Sequence, residues 1–266
     1  MKRAEHMKKK VQTIKTILLG SVIPVLIVFL WWYATNHGST PESILPRIST
    51  VISCFVELVR SGELKSDLII SLTRVIEGFA AAAILGVALG TVMGMSSTAL
   101  KIFQPTVTTI RQIPIMAWIP LLILWCGIGE LSKIVIIVIA VFFPVMVNTL
   151  SGISGTPLEY VEVAKMYKLN RWKTFIRVYL PHALPHIQTG LRLGLGVSWM
   201  AVVAAELIAS TSGIGYKLSY ARTMMKSDVV IVDMIVIGII GILMDKILSV
   251  VFELLTPWER KRRERG

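Results

Sequence analysis

Long apolar runs, separated by shorter polar segments, dominate the sequence. Each of six runs holds about the 20 residues that an α-helix needs to cross the hydrocarbon core of a bilayer. The pattern therefore predicts an all-α membrane protein in which one transmembrane domain, residues 17–255, contains six spans. The predicted spans are residues 17–35, 70–95, 106–128, 133–151, 190–209 and 231–252.

The composition supports this prediction. Of the 266 residues, 54% are hydrophobic and only 17% are charged, against about 25% charged residues in a typical soluble domain. The net charge of +12 could indicate nucleic-acid binding, but the basic residues cluster at the ends of apolar runs, so no nucleic-acid partner is expected. The two cysteines lack metal-ligand spacing, and His182 and His186 lack the glutamate of an HExxH site, so no metal site is expected.

The basic residues predict the orientation of the chain. The N-terminal segment 1–16, the loop 153–189 and the tail 256–266 together hold 16 of the 28 Lys and Arg residues. Six spans place these three segments on one side, and an excess of Lys and Arg marks the cytoplasmic side. The first span ends in the aromatic sequence WWY and has no small-x-small cleavage site after it, so we interpret it as a retained span rather than a signal peptide.

The segment 36–66 is predicted to lie on the outer side. After Pro46 its apolar residues recur at helical spacing, which predicts a short amphipathic helix that covers the ends of the spans. The residues of the apolar face are Ile48, Val51, Ile52, Phe55, Val56 and Val59.

Glycines in the second span predict close helix packing. Gly86, Gly90 and Gly94 lie four residues apart and therefore share one helix face. Small residues on one face let a second helix approach closely in a membrane. Gly190 and Gly194 repeat this pattern at the start of the fifth span.

Pro105, directly before the third span, and Pro114 and Pro120 within it are each expected to bend or interrupt the helix. Arg111 and Gln112 come directly before Pro114. Two interpretations are open. Either the interrupted helix lines an interior surface or a water-filled pathway, or it is a kinked structural helix from which Arg111 extends toward the headgroups.

Glu206, late in the fifth span, is a carboxylate within an apolar run. Such groups face protein or water because exposure to lipid is costly. No chain of Asp, Glu and His crosses the other spans, so a hydrogen-bonded structural or gate role is favoured over a proton relay. Asp233, Asp245 and Lys246 are expected at the interface. The sequence has no GxxxxGK[ST], so no nucleotide site of that kind is expected on this chain.

The loop 153–189 has the signals of two helices joined by a turn. Thr156 is the expected N-cap and Pro157 the first helical residue of a helix that continues to about Tyr167. Asn170 is expected to cap a second helix, which Pro181 ends. Its apolar and aromatic side chains either rest on lipid headgroups or fill a groove on another protein.

The residues Glu162, Ala164, Leu180 and Pro181 have the spacing of a known motif, and the loop resembles the cytoplasmic EAA loop of ABC importer permeases. The stretches RQIPIMAWIPLLILWCGIGELSKI and GVSWMAVVAAELIASTSGIGY resemble the nitrate/sulfonate/taurine branch of that family, nearest the aliphatic sulfonate permeases. The resemblance extends from about residue 41 to residue 258.

This resemblance implies a type I importer permease in the bacterial inner membrane, with both termini in the cytoplasm. Two copies would form the pathway for a small anionic solute, such as an aliphatic sulfonate or taurine-like compound, which an extracytoplasmic binding protein delivers. Separate ATPase subunits would bind ATP and Mg, and the loop would dock in a cleft of each ATPase. The implied coupling residues are Glu162, Val163, Ala164, Lys168, Asn170, Arg171, Trp172, Leu180 and Pro181; Arg111, Pro114 and Glu206 are candidates for the pathway or a gate.

Two positions depart from the family pattern. Val163 replaces the usual Ala, and Lys168 replaces the usual Gly. Glycine adopts a positive φ at little cost, whereas lysine does not. The turn is therefore expected to shift from Lys168 to Asn170. The small side chain of Ala164 is expected to let the helix sit close in a cleft of the ATPase.

Other functions remain open from the sequence. An ion-coupled secondary transporter would need inverted repeats and a charged midplane site, and neither is evident. A structural or signalling subunit would leave the interrupted third span and the capped loop without a purpose. An ABC permease for another substrate, such as nitrate or a vitamin precursor, is the nearest alternative.

Overall fold

The computed structural model describes residues 2–38 and 41–255, and these residues form helices and no strands. The basic tail 256–266 lies outside the described residues. The helices are α1 Lys2–His37, α2 Ile48–Arg60, α3 Glu63–Met95, α4 Ser97–Ile110, α5 Ile115–Cys126, α6 Glu130–Ser154, α7 Leu158–Met166, α8 Arg171–Thr174, α9 Leu180–Ala209, α10 Ile214–Thr223 and α11 Ser227–Leu255.

The prediction of a multi-pass all-α protein is confirmed. Five helical stretches of the described chain are long and apolar enough to cross a membrane, and α4 and α5 together form a bent sixth. The boundaries differ from those predicted at two places. The second span begins at Glu63 rather than residue 70, and the fifth belongs to a helical stretch that starts at Arg171 rather than 190.

The third span is the largest departure from the prediction. Its two helices, α4 and α5, meet at an angle of 95° across residues 111–114. Only Pro114 coincides with a break, because Pro105 lies inside α4 and Pro120 inside α5. The expectation that all three prolines interrupt the helix is therefore wrong for two of them.

The described residues within 1–61 and 221–232 form one compact unit. In this unit the Trp31 indole N–H donates to the Pro46 carbonyl, with a nitrogen–oxygen distance of 3.0 Å. The predicted helix after Pro46 is confirmed as α2, but its buried face consists of Val51, Cys54 and Leu58. The predicted apolar face is therefore wrong in part; the exposed members of it are Ile52, Phe55, Val56 and Val59.

Residues 62–220 and the described residues after 232 form the second unit, in which α6 packs against both α3 and α9. The predicted glycine seam on α3 is confirmed. A Cβ atom at Gly90 would lie 2.6 Å from the Met146 carbonyl oxygen, and one at Gly94 would lie 2.6 Å from Ile153 Cγ2. Side chains there would therefore force α3 and α6 apart.

The second glycine pair makes the same kind of contact with an adjoining face of α6. A Cβ at Gly190 would lie 2.8 Å from Asn148 Cβ, and one at Gly194 would lie 3.0 Å from Val141 Cγ1. Helix α6 thus packs closely against a small-residue face of α3 and against another of α9.

Candidate functional site

The loop 153–189 begins with α7, and its start differs from the prediction. The first helical residue is Leu158, and Pro157 precedes it with extended backbone and no side-chain cap. Thr156 does not cap the helix: its hydroxyl is buried and has no hydrogen-bond partner in the part of the chain that the structure describes. Pro157 suits this place because it lacks an N–H group that would need a partner.

The turn after α7 is centred on Lys168, not on Asn170. Lys168 has a φ of 50°. The Lys168 N–H donates to the Lys165 carbonyl and the Leu169 N–H to the Ala164 carbonyl, at 2.8 and 3.0 Å. This is the Schellman arrangement, which normally places glycine at the left-handed position. The expectation that lysine would move the turn is therefore wrong.

Asn170 caps the next helix as predicted. Its side-chain oxygen accepts the Lys173 N–H at 2.8 Å, and α8 begins at Arg171. The prediction that Pro181 ends this helix is wrong. A π-helical turn, Phe175–Tyr179, follows α8 and leads directly into α9. It precedes Pro181, where the absent proline N–H interrupts the regular hydrogen-bond ladder.

The side chains of α7 and α8 divide into an inner and an outer set. Ala164 is 3% exposed, so its small size serves packing within the chain itself, and the expected direct contact with an ATPase cleft is wrong for this residue. Glu162, Val163, Lys168 and Arg171 are exposed, as is Pro181, whereas Leu180 is half-buried. The large exposed apolar residues of the loop are Leu158, Tyr160, Val163, Met166, Tyr167, Trp172 and Ile176.

Glu206 lies in a buried network of hydrogen bonds. It is 1% exposed, and its Oε1 accepts from Arg74 Nη1 at 2.6 Å. The Ser71 hydroxyl donates to the same carboxylate at 2.8 Å, and the Gly215 N–H at 2.9 Å. The predicted hydrogen bonding of Glu206 is thereby confirmed, and its role as a structural group or a gate stays a prediction.

Arg74 connects Glu206 to a second carboxylate. Its Nε and Nη2 donate to the two oxygens of Glu130 at 2.5 and 2.6 Å, while Nη1 also reaches the Ser212 carbonyl at 3.0 Å. The Lys133 ammonium lies 3.0 Å from Glu130. The charges of two cations and two carboxylates therefore balance. Their contacts connect α3, α6 and α9 to the segment before α10. We call this group the ion-pair cluster: Ser71, Arg74, Glu130, Lys133, Glu206 and Ser212.

Gly213 allows this close approach. Its φ is +99°, and a Cβ there would lie 2.5 Å from Glu206 Oε1. Arg74 was not among the site residues predicted from the sequence. The available signal was an arginine inside the second span, because an intramembrane cation needs a partner and Glu206 is an intramembrane anion.

Asp233 and Asp245, two acidic residues of α11, differ in their exposure and in their partners. Asp233 was expected at the interface, but it is 0% exposed, and neither carboxylate oxygen has a hydrogen-bond partner among the described residues. Asp245 is exposed and pairs with Arg192 across 3.3 Å. The interfacial prediction is therefore wrong for Asp233.

Arg111 and Pro114 border a cleft of about 510 Å³ at the break between α4 and α5. We call it the Arg111 cleft. Helices α6 and α9 form its other walls. Its lining residues are Arg111, Gln112, Ile113, Pro114, Ile115, Ile139, Ala140, Phe143, Pro144, Val147, Asn148, Leu193 and Val197. Arg111 therefore borders a cleft within the chain, and both interpretations of its role stay predictions.

The helical spans, the broken third span and the loop together define a multi-pass transport permease. The family of binding-protein-dependent transport system inner membrane components matches residues 82–261. The chain belongs to this family and is an inner membrane component of such a system.

Individual relatives cover most of the chain. A putative ABC transporter permease protein of Methanocaldococcus jannaschii is 36% identical over 98% of both chains. The putative aliphatic sulfonates transport permease protein of Bacillus subtilis is 36% identical over 90% of this chain and 87% of its own length. The taurine transport system permease protein of Escherichia coli is 35% identical over 91% and 90%, respectively.

One solved structure supports the fold. The crystal structure of an amino acid ABC transporter with histidines contains a chain that matches with a TM-score of 0.61, covering 74% of this chain and 96% of that one at 15% identity. The family match and the named relatives, rather than this structure, confirm the resemblance to the ABC importer permeases that the sequence indicated.

Proposed function

We propose that this chain forms the translocation pathway of an ATP-driven importer for a small organic anion, an aliphatic sulfonate or taurine-like compound. Family membership supports the role of permease subunit. Relatives whose names specify aliphatic sulfonates and taurine support the substrate class. An extracytoplasmic binding protein delivers the solute, and two copies of the permease enclose the pathway.

The exposed apolar surface of the loop 153–189 carries the proposal of an ATPase partner. Met166 and Tyr167 are 81% and 77% exposed, and Trp172 is 67% exposed. Exposed charged residues flank these side chains in the sequence, which favours water over the hydrocarbon core as their surroundings. An apolar patch with a polar rim is typical of a protein–protein interface. Separate ATPase subunits bind ATP and Mg and dock against this surface.

Exposure of Met166 allows a sharper test than substitution of the buried Ala164. In Met166→Glu a charge replaces an apolar group at the proposed interface, so we expect loss of ATPase binding with normal amounts of permease in the membrane. Met224→Glu is the matched control. Met224 is 52% exposed and directly follows the end of α10, outside the loop. Each variant is co-expressed with the ATPase subunit of its own transporter. The amount of ATPase that co-purifies with a given amount of permease is measured.

Full ATPase recovery with both Met166→Glu and a second variant, Tyr167→Glu, would contradict the docking surface. Equal loss with Met224→Glu would also contradict it, because the effect would then not be specific to the loop. The substrate is tested separately: we expect ATP-driven uptake of butanesulfonate or taurine by the complete transporter, and uptake of neither would contradict the substrate class.

A further inference from the structure

The Arg111 cleft combines one free positive charge with mostly apolar walls. Arg111 is exposed and makes no ion pair or side-chain hydrogen bond within the described part of the chain. It is also the one charged residue among the described residues that line the cleft. An unpaired guanidinium in a membrane-spanning segment is costly and indicates a function.

The polar groups beside Arg111 can extend an anion site. Gln112 borders the cleft and its side chain has no hydrogen-bond partner among the described residues. The Asn148 amide donates one hydrogen bond to the Pro144 carbonyl at 2.8 Å, which leaves its second N–H free to bind an oxygen ligand. Guanidinium and amide N–H groups are suitable donors to a sulfonate oxygen, and a charged acceptor strengthens each bond.

The remaining lining selects the rest of the ligand. It is largely aliphatic and aromatic, with Ile139, Phe143 and Val197 on two helices opposite the break. Such walls favour a short apolar tail and offer no polar partners to replace the hydration of a bare inorganic anion. The volume of about 510 Å³ falls within the range of about 300–1,000 Å³ that is usual for small-molecule sites.

We propose that the Arg111 cleft is a transient binding site on the translocation pathway for a sulfonate with a short apolar tail. Arg111 and Gln112 hold the sulfonate group, and the walls from α6 and α9 contact the tail. This inference rests on the proposed import function. It assigns selection to the permease itself in addition to the binding protein, and it disfavours nitrate, which has no tail.

The test measures ATP-driven uptake of butanesulfonate by the complete transporter in proteoliposomes, at saturating binding protein. Arg111→Gln should lower the maximal rate by about tenfold, the effect of losing one charged hydrogen-bonding partner. Arg111→Lys should retain more of the rate because it retains the charge. The butanesulfonate concentration for half-maximal uptake should stay the same, because the binding protein sets it. The amounts of permease and bound ATPase should also be unchanged.

A second variant does not remove Arg111. Gln112→Glu places a carboxylate beside the guanidinium, so it should lower butanesulfonate uptake by neutralising the anion site. Gln104→Glu and Lys101→Gln are matched controls, since both residues are exposed on α4 and lie outside the cleft. Both controls should transport at the wild-type rate.

Several results would overturn the inference. The first is an unchanged maximal rate in both Arg111→Gln and Gln112→Glu. The second is an unchanged rate together with loss of co-purified anionic phospholipid from Arg111→Gln, which would assign Arg111 to lipid headgroups. The third is a parallel loss in the two α4 controls. If the wild-type transporter recovers its ATPase but takes up no butanesulfonate, the proposed substrate class fails as well, so the two failures are distinguishable.

Discussion

The carboxylate of Glu206 and the guanidinium of Arg74 are both almost fully buried, at 1% and 3% exposure. Removing two such groups from water is costly, and their attraction offsets that cost only if the remaining donors and acceptors also find partners. Here they do, through Ser71, Gly215 and Glu130. The ion-pair cluster is therefore stable as a set, and removing one member has a larger effect than removing a matched pair.

We expect Arg74→Met to destabilise the purified permease by roughly 3–5 kcal/mol, because Glu206 stays buried without its cation. The double variant Arg74→Met with Glu206→Met should recover most of this loss. Thermal unfolding in detergent measures both. Arg47→Met is the control, since its pair with Glu42 is exposed, and its effect should be below about 1 kcal/mol. A double variant as unstable as the single one would contradict this account.

The left-handed conformation of Lys168 leads to a second prediction at this scale. Lys168→Gly should stabilise the turn by about 1 kcal/mol, because glycine has no Cβ to clash at positive φ. Lys165→Gly should destabilise helix α7, in which it lies, by about 1 kcal/mol. Hydrogen exchange of the amides in α7 and the turn measures both effects. Changes of the same sign in the two variants would be inconsistent with strain at Lys168.

These two positions show how far single-residue reasoning extends. The sequence indicates that Glu206 needs a partner, but the choice of Arg74 depends on how α3 lies against α9, which one sequence does not encode locally. At Lys168 the predicted shift of the turn rested on the preference for glycine at positive φ. That preference is worth about 1–2 kcal/mol, and the hydrogen bonds from Lys168 and Leu169 that close the turn outweigh it.

Among the helices, spacing predicts faces better than it predicts breaks. Glycines four residues apart share a face whatever the partner is, so the seam of Gly86, Gly90 and Gly94 could be predicted, although its partner α6 could not. A proline removes one hydrogen bond wherever it lies, but whether the helix continues depends on its packing. Helices α4 and α5 accept Pro105 and Pro120 and end only around Pro114.

The seam gives a prediction about helix packing. Gly90→Leu should strongly reduce the amount of folded permease, because even a Cβ would lie 2.6 Å from the Met146 carbonyl oxygen and overpacking typically costs about 1–3 kcal/mol or more. Ala88→Leu should have little effect, because Ala88 is exposed on the same helix. Monodisperse protein after detergent extraction is the measurement. Similar yields from the two variants would argue against a tight seam.

In the second unit, the ion-pair cluster and the loop 153–189 lie at opposite ends of the same helix. Glu130 begins α6 and the loop starts after its last residues. With 25 residues and a rise of about 1.5 Å per residue, α6 is about 37 Å long, enough to cross the hydrocarbon core. We therefore expect the two sites to face opposite sides of the membrane.

The basic residues assign those sides. The loop 153–189 is rich in Lys and Arg, so we expect it in the cytoplasm and the start of α6 outside. In a background without Cys54 and Cys126, an impermeant thiol reagent added to intact cells should label Ile128→Cys, which is 75% exposed before α6, and should not label Lys168→Cys. Permeabilised cells serve as the control, because both cysteines should then react. Labelling of position 168 from outside would reverse the orientation, and with it the proposal that a cytoplasmic ATPase docks on the loop. Labelling of both positions in intact cells would contradict the passage of α6 across the membrane, because the two positions then share one side.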